Sequence, residues 1–262
     1  FEPRFTANDA TSAALWRYLP PASGAQYLTH QRGTVMKPLE GVTILEFSTM
    51  ITAALASMMR AEQGARVIKV EPSDSGDPMR YIGARKGDIS SLFAGGNRGK
   101  ESIKIDLKSE AGQTVIRDMI PQVDVVIHNF RPGTMDTLNL GCNALQSINP
   151  QLIYMAISGF GTEGPLRRAP AYDPIIQAHS GMAATQGSDE SPAFIRSLLC
   201  DKITAYTASQ AVTSALFARE RNGEGQLIDL SMLDAGLFFM FPDGFQNHAL
   251  LDEDAIPGGL LI

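Results

Sequence analysis

The stretch GVTILEFSTMITAALASMMRAEQGARVIKVE, residues 41–71, decides the fold. Its first seven residues, 41–47, are mostly apolar and are typical of a buried β-strand. Residues 51–63 are rich in alanine and methionine, which favour a helix, and Gly64 suits the position just after a helix ends. Residues 65–71 are a second apolar strand. The stretch therefore predicts a β-α-β unit with two parallel strands.

The alternation of strand and helix continues along the chain. Apolar strands are predicted at 101–107, 123–130 and 151–161, and helices at 109–120 and 142–148 lie between them. Because strands that alternate with helices pair in parallel, we expect a Rossmann-like α/β sheet flanked by helices. Ligands of such sheets bind beyond the carboxyl ends of the strands.

The pattern changes in the last third of the chain. Two helices are predicted at 173–184 and 201–221, followed by a strand at 227–231 and an apolar helix at 232–241. We interpret the region after the second of these helices as the beginning of a smaller domain.

These patterns divide the chain into three predicted segments. They are an N-terminal extension or linker at 1–36, a large domain at 37–224, and residues 225–262 leading into a truncated small domain. The chain begins with Phe1 rather than Met and stops at GGLLI without a closing element, so we expect a fragment of a longer protein.

The composition is that of an ordinary soluble globular protein, with 44% hydrophobic and 19% charged residues. A net charge of −6 argues against a general nucleic-acid binder. No apolar run reaches the roughly 18 residues that a membrane span needs. Two cysteines, Cys142 and Cys200, make no disulfide framework and fit a reducing cytoplasm, which is the predicted location.

One segment is basic although the chain is acidic. Between positions 80 and 104 six basic residues stand against two acidic ones, which suits an anionic ligand such as a phosphorylated cofactor or, alternatively, a solvated face. The six are Arg80, Arg85, Lys86, Arg98, Lys100 and Lys104.

Several common site motifs are missing from the sequence. No G-x-G-x-x-G follows the first strand, and neither a P-loop nor a G-x-S-x-G motif occurs. The four histidines match no zinc spacing, so we expect no metal site. Cys200 has no histidine in an obvious pairing motif, which favours a small buried side chain over a nucleophile.

The stretch SLLCDKITAYTAS, residues 197–209, places Asp201 at the start of a predicted long helix. An aspartate there is typical of a helix N-cap. It also suits a catalytic carboxylate, because a helix N-terminus favours the ionised form and the preceding apolar residues exclude water. The residues alone leave both interpretations open.

Six motifs in order make the chain resemble the family III CoA-transferases, the group that also contains the α-methylacyl-CoA racemases. The resemblance covers residues 37–262 and rests on PLEGVTILEFSTMITAAL, GGNRGKESIKIDL, DVVIHNFRPGTMDTL, NPQLIYMAISGFGTEGP, PAYDPIIQAHSGM and RNGEGQLIDLSMLDA. Each motif is weak alone, whereas six in the right order and spacing are specific.

The resemblance implies roles for three catalytic residues. Asp201 matches the family's catalytic aspartate, which attacks an acyl-CoA thioester and passes through a mixed anhydride and an aspartyl-CoA thioester. Tyr172 and Asp173 match a pair that faces the reacting thioester. The family also closes a glycine-rich loop over the intermediate, for which Gly258–Gly259 is the expected neighbourhood.

The same resemblance implies that coenzyme A and acyl-CoA are substrates, that a small carboxylic acid is the acceptor, and that no cofactor is tightly bound. Lys100, with Arg98 beside it, matches a lysine near the CoA phosphates. Asn129 and Phe130 match a segment that lines the adenosine and pantetheine, and Arg131 adds charge. For Phe130 a core position at a strand end is an equal alternative.

The sequence departs from the family pattern in the first loops. Ile51 stands where members often carry a polar residue, and Pro72 where some carry an arginine. Both departures weaken the expectation of CoA contacts there. Family members form interlocked homodimers, and some carry two units in tandem, so we expect a homodimer or an intramolecular pair.

Two other functions stay open. A racemase of this family pairs a histidine with the aspartate, but the histidine position holds Tyr172, whose ordinary pKa near 10 makes it a poor base. A non-catalytic CoA-binding unit of a tandem protein is the other alternative, in which Asp201 serves only as a helix cap.

Overall fold

A computed structural model describes residues 36–188, 190–241, 244–245 and 250. The predicted extension, apart from Met36, and the expected glycine-rich loop at Gly258–Gly259 lie outside these residues. Among the residues described, no helix combines the length and the apolar character that crossing a bilayer requires.

Eight strands and nine α-helices make up the described part of the chain. The strands are β1 (Thr43–Phe47), β2 (Arg66–Glu71), β3 (Arg85–Lys86), β4 (Ile89–Ser90), β5 (Glu101–Lys104), β6 (Val125–His128), β7 (Ile153–Ser158) and β8 (Leu227–Ser231). The helices are α1 (Thr52–Glu62), α2 (Ser91–Gly96), α3 (Glu110–Met119), α4 (Thr134–Thr137), α5 (Cys142–Gln146), α6 (Asp173–His179), α7 (Met182–Gln186), α8 (Leu199–Asn222) and α9 (Met232–Met240).

Six strands form one parallel sheet in the order β5-β2-β1-β6-β7-β8. This confirms the predicted Rossmann-like α/β class. The chain moves outward from β1 to β5, then returns and continues on the other side from β6 to β8. The point where the order reverses lies between β1 and β6, and all six carboxyl ends face the same edge.

Alternate residues of the central strands point into two different cores. Ile44 of β1 packs in the core on one face, and its neighbour Leu45 packs in the core on the other. Helices α1 and α8 cover the first face, where small residues such as Ala56 and Ala208 are buried. Helix α3 covers the second face through Ile116. Burial on both sides explains why the central strands are mostly apolar.

Charged side chains nevertheless lie inside this sheet. Lys69 of β2 places its Nζ 2.8 Å from Glu46 Oε1 and 2.9 Å from Asp77 Oδ2. Lys100 Nζ lies 2.7 Å from the other oxygen of Glu46. We call Glu46, Lys69, Asp77 and Lys100 the buried charge cluster. Its charges balance, which is the condition under which ions tolerate an apolar interior.

In the last third of the chain, two features of the architecture differ from the prediction. The helix predicted at 173–184 is broken into α6 and α7, because Gly181 adopts a φ of +80° that a continuous helix does not allow. Strand β8 pairs with β7 in the main sheet, and α9 packs against α8. The sheet therefore extends past residue 224, where we placed the end of the large domain.

We expect Lys69→Met to lower the free energy of unfolding by about 3 kcal/mol or more, because Asp77 loses its buried counter-ion and Glu46 keeps only Lys100. Chemical denaturation measures the change. Arg66→Met is the matched control on the same strand, since it breaks an ion pair with Glu101 whose side chains are both more than half exposed. Equal denaturation midpoints for the two variants would contradict a structural role for the cluster.

Candidate active site

The loop after β1 is held in place from two sides. Asn129, just beyond β6, accepts a hydrogen bond from Thr49 N and donates one to Thr49 O, at 3.1 and 2.7 Å. Asp77 Oδ1 accepts from Met50 N at 3.3 Å. Met50 has a φ of +63°, in the left-handed region that side chains disfavour. The loop is thus a constrained element at the reversal point of the sheet.

The three residues predicted on the β6 side have different surroundings. The amide of Asn129 is engaged with the β1 loop and also donates to Thr52 Oγ1, so it shapes the edge of the sheet. Phe130 is half-buried and packs against the core under α3. Arg131 is exposed beside them. Of the three, Arg131 presents a charge to solvent at this edge.

Much of the predicted basic segment is paired inside the protein. Lys100 is 3% exposed and donates to Ala54 O and Asn97 Oδ1 as well as pairing with Glu46. Arg80 forms two hydrogen bonds with the buried Glu71, and Arg98 pairs with Glu62 at 2.6 Å. The acidic partners, Glu46, Glu62 and Glu71, all lie outside the counted segment, so the local charge count overstated the positive charge at the surface. Lys100 contributes to the interior rather than to an exposed phosphate site.

Asp201 lies in the first turn of α8 but is not its N-cap. Leu198 holds that position, and no side-chain cap accompanies it. The free N–H of Asp201 instead donates to Asp173 Oδ2 at 2.9 Å. Asp173 is the first residue of α6 and is 1% exposed. The residue that caps the helix start is therefore Asp173, from another element, and the carboxyl of Asp201 is left available for chemistry.

Burial and the negative charge of Asp173 raise the pKa of Asp201 to about 7, against a small opposing effect of Lys202. The sequence predicted the reverse, because a helix N-terminus favours the ionised form. That effect is worth about 0.3–1 kcal/mol, whereas a rise of about 3 pKa units corresponds to about 4 kcal/mol. Desolvation and the neighbouring carboxylate therefore outweigh the helix dipole.

Two other candidate residues near Asp201, Cys200 and Tyr172, differ in their exposure to solvent. Cys200 is fully buried, and burial with the nearby carboxylates raises its pKa to about 12, so it stays a protonated thiol. The prediction that Cys200 is a small buried side chain is confirmed. Tyr172 is 64% exposed at the position before α6. Of the predicted pair, Asp173 contacts Asp201 and Tyr172 faces solvent.

Two groups of residues important for the site escaped the sequence reasoning. The first is Glu46, Lys69 and Asp77, the partners of the predicted Lys100 in the buried charge cluster, although a glutamate and a lysine inside apolar strands were a visible signal. The second is Gln177, which is 1% exposed and donates to Asp173 Oδ1 at 2.5 Å. Its signal was the spacing of four residues in DPIIQ, which puts both on one helix face. Within the described ranges, no three His, Cys, Asp or Glu side chains converge as metal ligands would.

The amino-acid sequence matches a known protein family. Residues 39–258 match CoA-transferase family III. The chain is 40% identical over 219 residues to the acetyl-CoA:oxalate CoA-transferase of Acetobacter aceti, covering 82% of this chain and 54% of that protein. It is 36% identical to the succinyl-CoA–D-citramalate CoA-transferase of Chloroflexus aurantiacus, covering 78% and 51%.

A solved structure agrees with the fold. A CaiB/BaiF family protein from Brucella suis superposes with a TM-score of 0.77 at 33% identity, covering 81% of this chain and 57% of that one. The chain spans about half the length of the curated relatives it matches.

We expect Asp201→Asn to stabilise the fold at pH 8 and to have no such effect at pH 4. The pKa of Asp201 is about 7 in the folded state and about 3.8 when unfolded, so its ionisation favours the unfolded chain increasingly from pH 4 to 7. Asparagine removes that penalty, which is worth about 2–4 kcal/mol above pH 7.

Denaturant titration at both pH values measures this difference. Asp118→Asn, at an exposed position on α3, is the control and is expected to change neither value. A loss of stability in Asp201→Asn at pH 8 would contradict the raised pKa.

Proposed function

The chain belongs to CoA-transferase family III, and on this premise we propose that the whole protein moves CoA from an acyl-CoA donor to a carboxylic acid acceptor with Asp201 as nucleophile. The observation that carries the proposal is the placement of Asp201. Its carboxyl is partly buried, stands next to a second carboxylate and is not consumed as a helix cap.

The proposed reaction divides one difficult exchange into easier steps. A carboxylate oxygen of Asp201 attacks the thioester carbonyl, and the CoA thiolate leaves from the tetrahedral adduct, which gives a mixed anhydride of the donor acid and Asp201. The thiolate then attacks the aspartyl carbonyl, which releases the donor acid and forms an aspartyl-CoA thioester. The acceptor carboxylate attacks that thioester, CoA thiolate leaves again, and its attack on the acceptor carbonyl gives the new acyl-CoA and regenerates Asp201.

The electrostatics of Asp201 support this role. A carboxylate with a pKa of about 7 is more basic than an ordinary aspartate and therefore a stronger nucleophile, while a large fraction remains ionised at neutral pH. The neighbouring groups are poorer candidates. Cys200 is held as a thiol by its raised pKa of about 12, and Asp173 is already committed to the backbone of Asp201 and to Gln177.

We place CoA along the edge of the sheet where its strand order reverses, which is the usual ligand position in this architecture. Arg131 is an exposed cation there, with Phe130 beside it as an apolar surface. Arg98, which the resemblance also put near the phosphates, precedes β5 and pairs with Glu62 at the last residue of α1, so it lies toward the amino ends of the strands. Asn129 shapes this edge through its bonds to the β1 loop. We propose a homodimer or a tandem pair as the working assembly.

We expect the full-length protein to form a covalent CoA adduct on the peptide that contains Asp201. Intact-mass spectrometry after incubation with acetyl-CoA or succinyl-CoA, followed by peptide mapping, detects it. Because the ionised carboxylate is the nucleophile, the rate of adduct formation rises with pH with a midpoint near 7.

The matched variants are Asp201→Asn, which is expected to give no adduct, and Asp118→Asn, which is expected to react like the wild type. An adduct that persists in Asp201→Asn would refute the assignment. If no adduct forms but a branched acyl-CoA exchanges its α-proton with deuterated water, the protein is a racemase. CoA binding without either reaction indicates a binding unit.

We expect Arg131→Ala to weaken CoA binding by about tenfold, because one charge-assisted contact to a phosphate is lost. Isothermal titration at low and high salt measures the affinity, and the difference from wild type shrinks as salt screens the charge. Arg66→Ala removes an exposed arginine at the opposite end of the sheet and is the control. An unchanged affinity for CoA in Arg131→Ala would mean that Arg131 does not contact a CoA phosphate.

A further inference from the structure

We propose that Gln177 is a positioning residue that fixes the nucleophile Asp201 by orienting Asp173. The inference rests on the proposed function, because it concerns the geometry of the same carboxylate. The spacing in DPIIQ only places Gln177 on the same helix face as Asp173, and its role follows from the hydrogen bonds that its side chain makes with Ile195 N, Ile195 O and Asp173 Oδ1.

The amide of Gln177 can lie in only one orientation. Its Oε1 accepts from Ile195 N at 2.8 Å, a backbone donor that cannot reverse its polarity. The Nε2 end is therefore turned toward acceptors, and it donates to Asp173 Oδ1 at 2.5 Å and to Ile195 O at 3.2 Å. Since the side chain is 1% exposed, water does not compete for these bonds.

The oriented amide fixes Asp173 in turn. With Oδ1 held by Gln177, the other oxygen, Oδ2, meets the N–H of Asp201 at 2.9 Å. Gln177 and Asp173 are four residues apart on α6, so they form a rigid unit on one helix face. The unit reaches across to the first turn of α8 and sets the position of Asp201.

A neutral amide is suited to this position. It supplies donors to Asp173 without adding a positive charge, so the negative charge of Asp173 continues to act on Asp201. A lysine or arginine in its place would offset that charge and make Asp201 a weaker base.

A double-mutant cycle on the full-length protein tests the route from Gln177 through Asp173 to Asp201. The variants are Gln177→Met, Asp173→Asn and the two combined, and the readout is the rate of adduct formation at saturating acetyl-CoA. We expect about a tenfold or greater loss in Gln177→Met, since small misplacements of a reacting group cost that much. We expect the acetyl-CoA concentration that gives the half-maximal rate to stay within twofold of the wild-type value. A general loss of structure would change that concentration as well.

The decisive comparison is the double variant, which is expected to react no more slowly than the slower single variant. Gln146→Met is the matched control, because it removes a helix glutamine that donates to Leu152 O on the other side of the sheet, and it is expected to react at the wild-type rate. If Gln177→Met does not fold, Gln177→Glu replaces it, since it keeps an acceptor for Ile195 N and puts a second carboxyl group, in place of the amide donors, against Asp173.

Three results would overturn the inference. Losses that multiply in the double variant would mean that Gln177 does not act through Asp173. Rates within twofold of wild type in the Gln177 variants would remove the positioning role while leaving the nucleophile intact. Absence of an adduct in the wild-type protein would refute the proposed function together with the positioning role. An adduct in the wild type with unchanged rates in the variants would refute the positioning role alone.

Discussion

The ion pairs of Lys69 are the interaction on which the rest of the structure depends. This lysine lies between Glu46 of β1 and Asp77, and it is 1% exposed. It thereby joins two central strands to the loop that holds Met50 in a left-handed conformation. A lysine left unpaired at this depth would cost several kcal/mol, so the cluster folds only when all its members are in register.

The two carboxylates at the candidate active site, Asp173 and Asp201, differ from the buried charge cluster because their charges are not balanced by a buried cation within the described residues. The described neighbours place no buried cation in hydrogen-bond contact with Asp201, and the nearest strong influence is the like charge of Asp173. The structure therefore neutralises charge under the sheet edge and leaves it unbalanced at the start of α8. The first arrangement supplies rigidity, whereas the second keeps a carboxylate more basic than an ordinary aspartate, which the proposed attack on a thioester requires.

Packing of α8 connects these two regions. Arg60 of α1 donates to Ser209 O and to Thr213 on α8, and small residues bring the two helices together over the sheet. The far end of α8 is tied down by Arg219, which pairs with Asp124 at 2.9 Å. A long helix fixed at its middle and its end carries its first turn, with Asp201, to a defined place.

The sequence by itself determined the order along the chain of the six strands of the main sheet and their parallel pairing, because apolar periodicity and glycine positions are local signals. It also indicated the family, through short motifs in order, and pointed to Asp201. Only the tertiary structure decided that Asp173 is the cap of α8, that Lys100 is an interior residue, and that Gln177 belongs to the site. Those roles depend on partners 4 to 54 residues away along the chain, as Gln177 with Asp173 and Lys100 with Glu46 show. Burial and the charge of such partners set the pKa of Asp201, and neither can be read from a local pattern.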